Sequence, residues 1–135
     1  MDLESSMRIA ASGMKAQSAR LRVTAENLAN AESTSRTPGG DPYRRKTISF
    51  AERLDRELGV ELVEVDRYGV DGSAFPMRYE PGHPAADEKG YVKEPNVNTL
   101  VEMMDMREAQ RSYEANLNAQ QQARAMLQKT LDLLR

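Results

Sequence analysis

The only histidine of the sequence, His83, is the first candidate for chemistry. It lies in a Gly-His-Pro stretch and is followed by the acids Asp87 and Glu88. A histidine beside carboxylates can bind a metal ion or act as a general base, but a metal site needs further ligands at helix or hairpin spacing. A hydrolase using these residues would also need a nucleophile, and no serine or threonine lies in a nucleophile motif. We therefore interpret His83 as a loop residue held between prolines, and we predict neither a catalytic residue nor a metal site.

Other residue types give no stronger indication of binding chemistry. The basic run Arg44–Lys46 could contact phosphates, but such runs more often lie on a solvated strand. With 19 basic and 21 acidic residues the formal net charge is −2, which argues against a nucleic-acid-binding surface. There is no glycine-rich phosphate loop, and the lack of cysteine excludes disulfides and thiolate metal sites. We predict no cofactor.

The first residues, MDLESSMRIAASGM, are acidic at the start and have no unbroken apolar run. This pattern does not match a secretory signal. No stretch of the sequence approaches the roughly 20 apolar residues of a membrane helix. We expect no cleaved signal peptide and no direct insertion into lipid.

Asparagines occur in two stretches that otherwise favour helix. Asn27 and Asn30 lie in TAENLANAES, and Asn116 and Asn118 lie in YEANLNAQQQ. Asparagine is a mediocre helix residue, because its short amide competes for nearby backbone groups. In a buried helical row, a polar residue fixes register and partner at some cost in stability. Such positions indicate helix contacts rather than a solvated surface.

Residues 1–33 are predicted to form an N-terminal helix from about Leu3 to Ala31 with two apolar rows. One row has alternating spacings of four and three, which is typical of a seam for another helix. The second row lies about 200° around the helix. A helix with a single neighbour needs only one row, so the pattern indicates neighbours on two sides. The seam comprises Met7, Ala11, Met14, Ser18, Leu21, Ala25 and Leu28, and the second row Ile9, Ala16 and Val23, continued by Asn30.

Residues 98–135 are predicted to form a C-terminal helix. Thr99 and Glu102 match a capping box, with Asn98 as a competing cap. No glycine or proline interrupts the run that follows. Its apolar stripe has a mean spacing close to 3.5, which favours left-handed supercoiling. The stripe comprises Met103, Met106, Ala109, Tyr113, Leu117, Gln120, Ala123, Leu127, Leu131 and Leu134.

Residues 34–97 differ in composition and contain all six prolines and seven of the eight glycines. Residues 46–50 and 59–70 are rich in β-branched residues and predict strands, with a helical turn or two over 51–58. Residues 75–92 predict a strand followed by a turn-rich loop. We therefore predict an α+β fold. The two terminal helices pack as a coiled-coil-like pair, and a small β-rich module is inserted between them.

Two stretches together resemble the flagellar axial family of rod and hook proteins. They are ENLANAEST, residues 26–34, and NVNTLVEMMDMREAQRSYEANL, residues 96–117. Within that family, the stretch from Tyr79 to Asn98 is similar to the segment that precedes the C-terminal helix of a proximal rod protein. The resemblance covers essentially the whole chain.

The resemblance implies a non-enzymatic structural subunit of the proximal rod of the bacterial flagellar basal body, which crosses the periplasm. Such subunits are type III export substrates, which agrees with the expected lack of a cleaved signal peptide. Their terminal helices polymerise into a hollow shaft needed for motility, and their partners are other copies, other rod proteins, the membrane ring and the export apparatus. The residues expected at assembly interfaces are Met7, Ile9, Met14, Leu21, Val23, Asn27, Leu28, Asn30, Met103, Met106, Tyr113, Asn116, Leu117, Leu127, Leu131 and Leu134.

Two alternatives stay open. The chain could be another proximal rod protein of the same family, or a helical adaptor that binds one partner helix in a methionine-rich groove. Stoichiometry separates the adaptor from the rod subunit. An adaptor fills one apolar face once, whereas a rod subunit needs neighbours on several sides.

Overall fold

The computed structural model describes residues 2–135, which form two helices and four strands. Along the chain these are α1 (Leu3–Ala29), β1 (Lys46–Asp55), β2 (Val60–Val70), β3 (Met77–Tyr79), β4 (Tyr91–Lys93) and α2 (Thr99–Leu133). The α+β fold with long terminal helices and a small β module between them is therefore confirmed. Within residues 2–135, neither helix has an apolar stretch of the length and hydropathy that a membrane crossing requires.

Helix α1 begins and ends at side-chain caps. The carboxylate of Asp2 accepts the backbone N–H of Ser5 at 2.7 Å, and this hydrogen bond holds the pKa of Asp2 below its usual value. At the other end, the side-chain amide of Asn30 donates to the carbonyl of Glu26 at 2.9 Å. The backbone N–H of Asn30 donates to the same carbonyl at 3.1 Å, so the amide adds a second hydrogen bond there. The helix ends two residues before the predicted Ala31.

The capping box predicted for α2 is wrong, and the competing cap is correct. The side-chain oxygen of Asn98 accepts the backbone N–H groups of Leu100 and Val101 at 3.1 and 3.3 Å. Asn98 is therefore the N-cap, and Thr99 is the first helical residue. The side chain of Glu102 is completely buried and pairs elsewhere in the chain.

Strands β1 and β2 form a two-stranded sheet. Their connection of only a few residues requires an antiparallel hairpin. The turn is built by Asp55, whose carboxylate accepts the N–H groups of Glu57 and Leu58 at 3.0 and 3.3 Å. Gly59 closes it with a φ of 65°, a left-handed conformation that favours glycine. The strands predicted over 46–50 and 59–70 are confirmed, but the helix predicted over 51–58 is wrong, because β1 continues through Asp55 and leaves a single turn.

Strands β3 and β4 form a second antiparallel sheet, with Met77 opposite Lys93 and Tyr79 opposite Tyr91. The two tyrosine rings contact edge to face, with centroids 5.3 Å apart. Val92 of β4 is completely buried. The sequence predicts only the first of these strands, because the turn-rich loop hides the return of the chain.

The chain divides into two compact units, and each contains part of both helices. Unit 1 comprises the chain up to Leu21 with residues 48–67 and 107–135, and unit 2 comprises residues 22–47 and 68–106. The buried apolar residues of unit 1 are Ala10, Ala16, Leu62, Ala109 and Ala123, whereas unit 2 buries Val23, Ala85 and Val92 together with the polar Thr24, Asn27 and Glu102. The division into residues 1–33, 34–97 and 98–135 is one of composition and stays a prediction.

In unit 1 the two helices approach closely at Gly13. A Cβ atom at this position would lie 2.7 to 2.8 Å from the side-chain amide of Asn116. The residue before Gly13 meets the hairpin, because the hydroxyl of Ser12 accepts the N–H of Val63 at 3.3 Å. Asn116 therefore lies at a helix contact within the chain, and the supercoiling of the helix pair stays a prediction.

We predict that Gly13→Ala destabilises the chain although alanine is the better helix former. Alanine at an interior helix position gains about 1 kcal/mol over glycine, but overpacking against Asn116 costs about 1–3 kcal/mol. In an Asn116→Ala background the obstacle is gone, so the same substitution should become stabilising. Urea unfolding of the unsubstituted chain, the two single variants and the double variant measures the sign of the change in the free energy of unfolding. An effect of the same sign in both backgrounds would contradict this reading of the contact.

Candidate functional site: a buried polar cluster and exposed apolar surfaces

Asn27 is the centre of a buried polar cluster in unit 2. Its side chain is 0% exposed. The amide oxygen accepts the backbone N–H of Lys46 at 2.8 Å, and the amide nitrogen donates to the carbonyl of the same residue at 2.9 Å. The oxygen also accepts the hydroxyl of Tyr43 at 2.7 Å, and the nitrogen donates to Glu102 at 3.4 Å. All four hydrogen-bonding positions of the amide are therefore used, and they connect α1, β1 and α2.

Glu102 is the second fully buried member of the cluster, and Arg45 neutralises it. The guanidinium of Arg45 donates through Nε to Glu102 and lies 3.6 Å from Asp71 and 3.9 Å from Asp105. Burial disfavours the charged form of Arg45, but the hydrogen bond with Glu102 and the negative charges of Glu102, Asp71 and Asp105 together outweigh this and raise the pKa of Arg45. Because an unpaired buried carboxylate is strongly destabilising, the Arg45–Glu102 pair fixes the start of α2 against the start of β1.

Tyr43 donates the hydrogen bond that completes the environment of Asn27. Burial, with the negative charge of Glu26, raises the pKa of the Tyr43 hydroxyl above its ordinary value of 10.0. The phenol therefore keeps its proton at physiological pH and remains a donor.

The basic run Arg44–Lys46 is not a free cationic surface. Arg44 donates to the carbonyls of Asp71 and Ser73 at 2.8 and 3.0 Å, and its guanidinium lies 4.1 Å from the ring centroid of Phe75. The ammonium of Lys46 pairs with Glu26, and this hydrogen bond raises the pKa of Lys46. The reading of these residues as decoration of a solvated strand is wrong for Arg44 and Arg45, whose side chains contact other segments of unit 2, whereas Lys46 on β1 is exposed as predicted.

His83 takes part in the geometry of a loop. Its Nδ1 atom accepts the backbone N–H of Ala85 at 3.0 Å. The nearby Asp87 is also used locally, because its carboxylate accepts the N–H groups of Lys89 and Tyr91 at 2.9 and 3.0 Å. In the described part of the chain, no group of three or more histidine, aspartate or glutamate side chains is placed to hold a metal ion.

The first exposed apolar surface lies at the start of α2, in unit 2. Leu100, Val101, Met103 and Met104 are 66%, 46%, 49% and 63% exposed. We call these four residues the α2 start patch. Four large apolar side chains within five residues cannot all face one buried stripe of a helix. Exposed patches of this kind mark interaction sites in soluble proteins.

The second exposed apolar surface lies at the end of α2, in unit 1. Leu127, Leu131 and Leu134 are spaced by four and three, and we call them the terminal stripe. Their exposure rises from 37% to 50% and 79% towards the chain end. Every residue from 124 to 135 is exposed, so this part of the helix contributes no buried side chain to unit 1. The predicted stripe lies on α2 up to Leu131, and Leu134 directly follows the helix. Its last three members keep 37–79% of their surface exposed within the described residues.

The predicted assembly residues thus fall into three groups. Two of them, Val23 and Asn27, are buried within unit 2. Four are exposed, namely Met103, Leu127, Leu131 and Leu134. The remainder are half-buried, namely Met7, Ile9, Met14, Leu21, Leu28, Asn30, Met106, Tyr113, Asn116 and Leu117. A role at contacts between subunits stays a prediction for all of them, but Asn27 has no exposed surface to offer a neighbour.

Three members of the cluster, Tyr43, Arg45 and Glu102, were not predicted as site residues. Glu102 was assigned to a cap and Arg45 to a solvated run, because both assignments follow from neighbouring residues alone. The contact between them joins positions 57 residues apart, and no local spacing encodes such a pair.

We predict that Asn27→Leu destabilises unit 2 of the free chain. The substitution leaves the hydroxyl of Tyr43 and both backbone groups of Lys46 without their partner, and a buried unsatisfied group costs about 1–3 kcal/mol. The expected loss in the free energy of unfolding is about 3 kcal/mol. Asn118→Leu is the matched control, because Asn118 is an exposed position of α2. Equal urea midpoints for the two variants would show that the cluster contributes little.

Two family models match the ends of this chain. The model described as "Flagella basal body rod protein" matches residues 7–36, which contain most of α1 and Asn27. The model described as "Flagellar basal body rod FlgEFG protein C-terminal" matches residues 88–133, which contain β4, Glu102 and α2.

Several curated relatives match nearly the full length of the chain, and each is named flagellar basal-body rod protein FlgC. The protein of Agrobacterium fabrum is 55% identical over 98% of this chain and 96% of its own length. That of Borreliella burgdorferi is 40% identical over 99% of both chains. That of Salmonella typhimurium is 44% identical over 93% of this chain and 92% of its own. With identity of this level along the whole length, the chain belongs to the FlgC family of flagellar basal-body rod proteins.

Proposed function

We propose that this chain is a structural subunit of the proximal rod of the bacterial flagellar basal body. It polymerises through its terminal helices into the hollow drive shaft that motility needs. One observation beyond family membership supports this role most directly. The end of α2 carries a leucine stripe whose exposure rises from 37% at Leu127 to 79% at Leu134.

The energetics favour an assembled working state. Burying one leucine side chain contributes roughly 1.5–3 kcal/mol, and a helix end without tertiary contacts is marginal in water. A partner surface for Leu127, Leu131 and Leu134 therefore stabilises both the contact and the helix that presents it. In a helical array the same gain recurs at every copy.

Two separate exposed surfaces favour a rod subunit over an adaptor. The α2 start patch belongs to unit 2, and the terminal stripe belongs to unit 1. An adaptor for one helix needs one apolar groove, whereas a subunit inside an array needs neighbours at several surfaces. The proposed neighbours are other copies, other rod proteins, and the membrane ring and export apparatus at the rod base.

The proposed role involves no catalysis, nucleic acid or lipid insertion. His83 and Asp87 hold backbone N–H groups of their own loop, and the basic run is paired within unit 2. The proposed location is the periplasmic part of the rod, reached through the type III export apparatus without a cleaved signal peptide.

We predict that Leu131→Asp abolishes rod assembly and leaves the free chain folded. The side chain is 50% exposed in the single chain, and surface substitutions usually change stability by less than about 0.5 kcal/mol. In a buried contact, the same carboxylate would be unpaired at a cost of several kcal/mol. Urea unfolding of the purified variant, electron microscopy of basal bodies and swimming assays measure these outcomes.

Gln122→Asp is the matched control for this substitution. It introduces the same charge at an exposed polar position of α2, so rods should assemble and cells should swim. If the Leu131→Asp strain builds full-length flagella, the terminal stripe is not an assembly surface.

A further inference from the structure

The terminal stripe has a complementary surface on the same unit. A groove of 260 Å³ is lined by Met7 of α1 and by Leu117, Gln120, Gln121 and Arg124 of α2. Met7 and Leu117 supply apolar surface, and the amides and the guanidinium supply polar groups. A cavity of about 150 Å³ accommodates a benzene ring, so this groove accommodates at least one leucine side chain.

The stripe of one chain cannot fill the groove of that chain. Leu131 lies about 21 Å beyond Leu117 along the axis of the same helix. A straight helix keeps these two positions apart, so only a second molecule can bring them together. Each copy thus has a terminal stripe that can insert into another copy and a groove that can accept the stripe of another copy.

The charges at the two surfaces are complementary as well. Within residues 2–135, Arg124 at the groove forms no ion pair, and the carboxylate of Asp132 beside the stripe accepts only from the amide of Gln128 at 3.3 Å. The last turn of α2 contains no basic residue. The negative end of its dipole and Asp132 are therefore both available to a cation. Arg124 carries the charge that matches them.

We propose that the terminal stripe of one copy inserts into the Met7–Leu117 groove of the next, with Asp132 of the first paired with Arg124 of the second. The proposal rests on the assembly role argued above and specifies which two surfaces meet. The contact is heterologous, because the two partners use different surfaces. Every copy that joins presents a new free stripe or a new free groove, so the contact propagates in one direction.

Engineered cysteines test this arrangement, because the chain has no cysteine of its own. In a chain carrying both Gln121→Cys and Leu134→Cys, the two positions lie about 20 Å apart along the helix. A disulfide requires Cα atoms within about 7 Å, so the bond can form only between copies. Oxidation of basal bodies built from this variant should give a ladder of multimers on non-reducing gels, whereas each single variant gives at most a dimer.

The control places the first cysteine at Gln122, which is the neighbouring position and does not line the groove. The Gln122→Cys/Leu134→Cys chain should not form the ladder. Basal bodies that assemble normally but give no ladder with Gln121→Cys overturn the proposed contact and leave the rod role intact. If even the unsubstituted chain is missing from basal bodies, the rod role itself fails.

Charge reversal gives a readout that does not depend on cysteine chemistry. Arg124→Glu and Asp132→Arg each lie at exposed positions. Each alone should weaken incorporation into basal bodies by about two- to fivefold, the range of a single exposed ion pair. The double reversal should restore incorporation, because the pair is rebuilt with opposite polarity. Losses that add in the double variant overturn the proposed contact.

Discussion

The side-chain amide of Asn27 is the interaction on which unit 2 depends. It binds the N–H and the carbonyl of Lys46 together, much as a neighbouring strand would, and so positions β1 on α1. Its other two hydrogen bonds go to Tyr43 and Glu102. A shift of α1 by one residue would leave each of these groups buried without a partner. Hydrogen bonds are directional and apolar contacts are not, so this cluster specifies one register where packing alone would permit several.

The composition explains why such a cluster is needed. The chain has two phenylalanines and no tryptophan, and its largest fully buried side chains are Glu102, Val92 and Asn27. Unit 1 relies instead on a small residue at its helix contact. Because Gly13 has no side chain, the amide of Asn116 can approach the backbone of α1. Among the described residues, most of the buried apolar side chains are alanine and valine, with Leu62 the one leucine. Directional hydrogen bonds therefore select a single packing arrangement in unit 2, and the close approach of the two helices does so in unit 1.

The sequence predicted those elements whose residues repeat with a regular period. Both helices and the hairpin strands follow from periods that repeat within one element, and Asn98 was weighed correctly as a cap. The predicted seam of α1 is wrong in part, because its members Ala11, Ser18 and Ala25 are exposed, whereas Ala16 and Val23 of the second row are buried. Contacts between distant positions were not predictable, since Asn27 and Lys46 are 19 residues apart and Arg45 and Glu102 are 57 apart. The return strand β4 has only three residues, too few to show a period. The asparagine positions were predicted to be helix contacts. For Asn27 and Asn116 the structure shows such contacts inside the chain, whereas for Asn118 the prediction is wrong, because this residue is exposed.

The distribution of apolar side chains connects this architecture to the rod. Nine of the large apolar residues that the chain exposes lie between Leu100 and Leu134, on α2 or directly after it. Because polar contacts stabilise the interior of unit 2, the exposed apolar side chains of α2 are not needed for the fold of the single chain. Charged and amide residues, among them Gln121, Arg124 and Asp132, interrupt the surface, which limits association in wrong registers. In the assembly that we propose, leucine and methionine side chains provide the affinity between copies, and neighbouring copies bury the apolar side chains that the single chain leaves exposed.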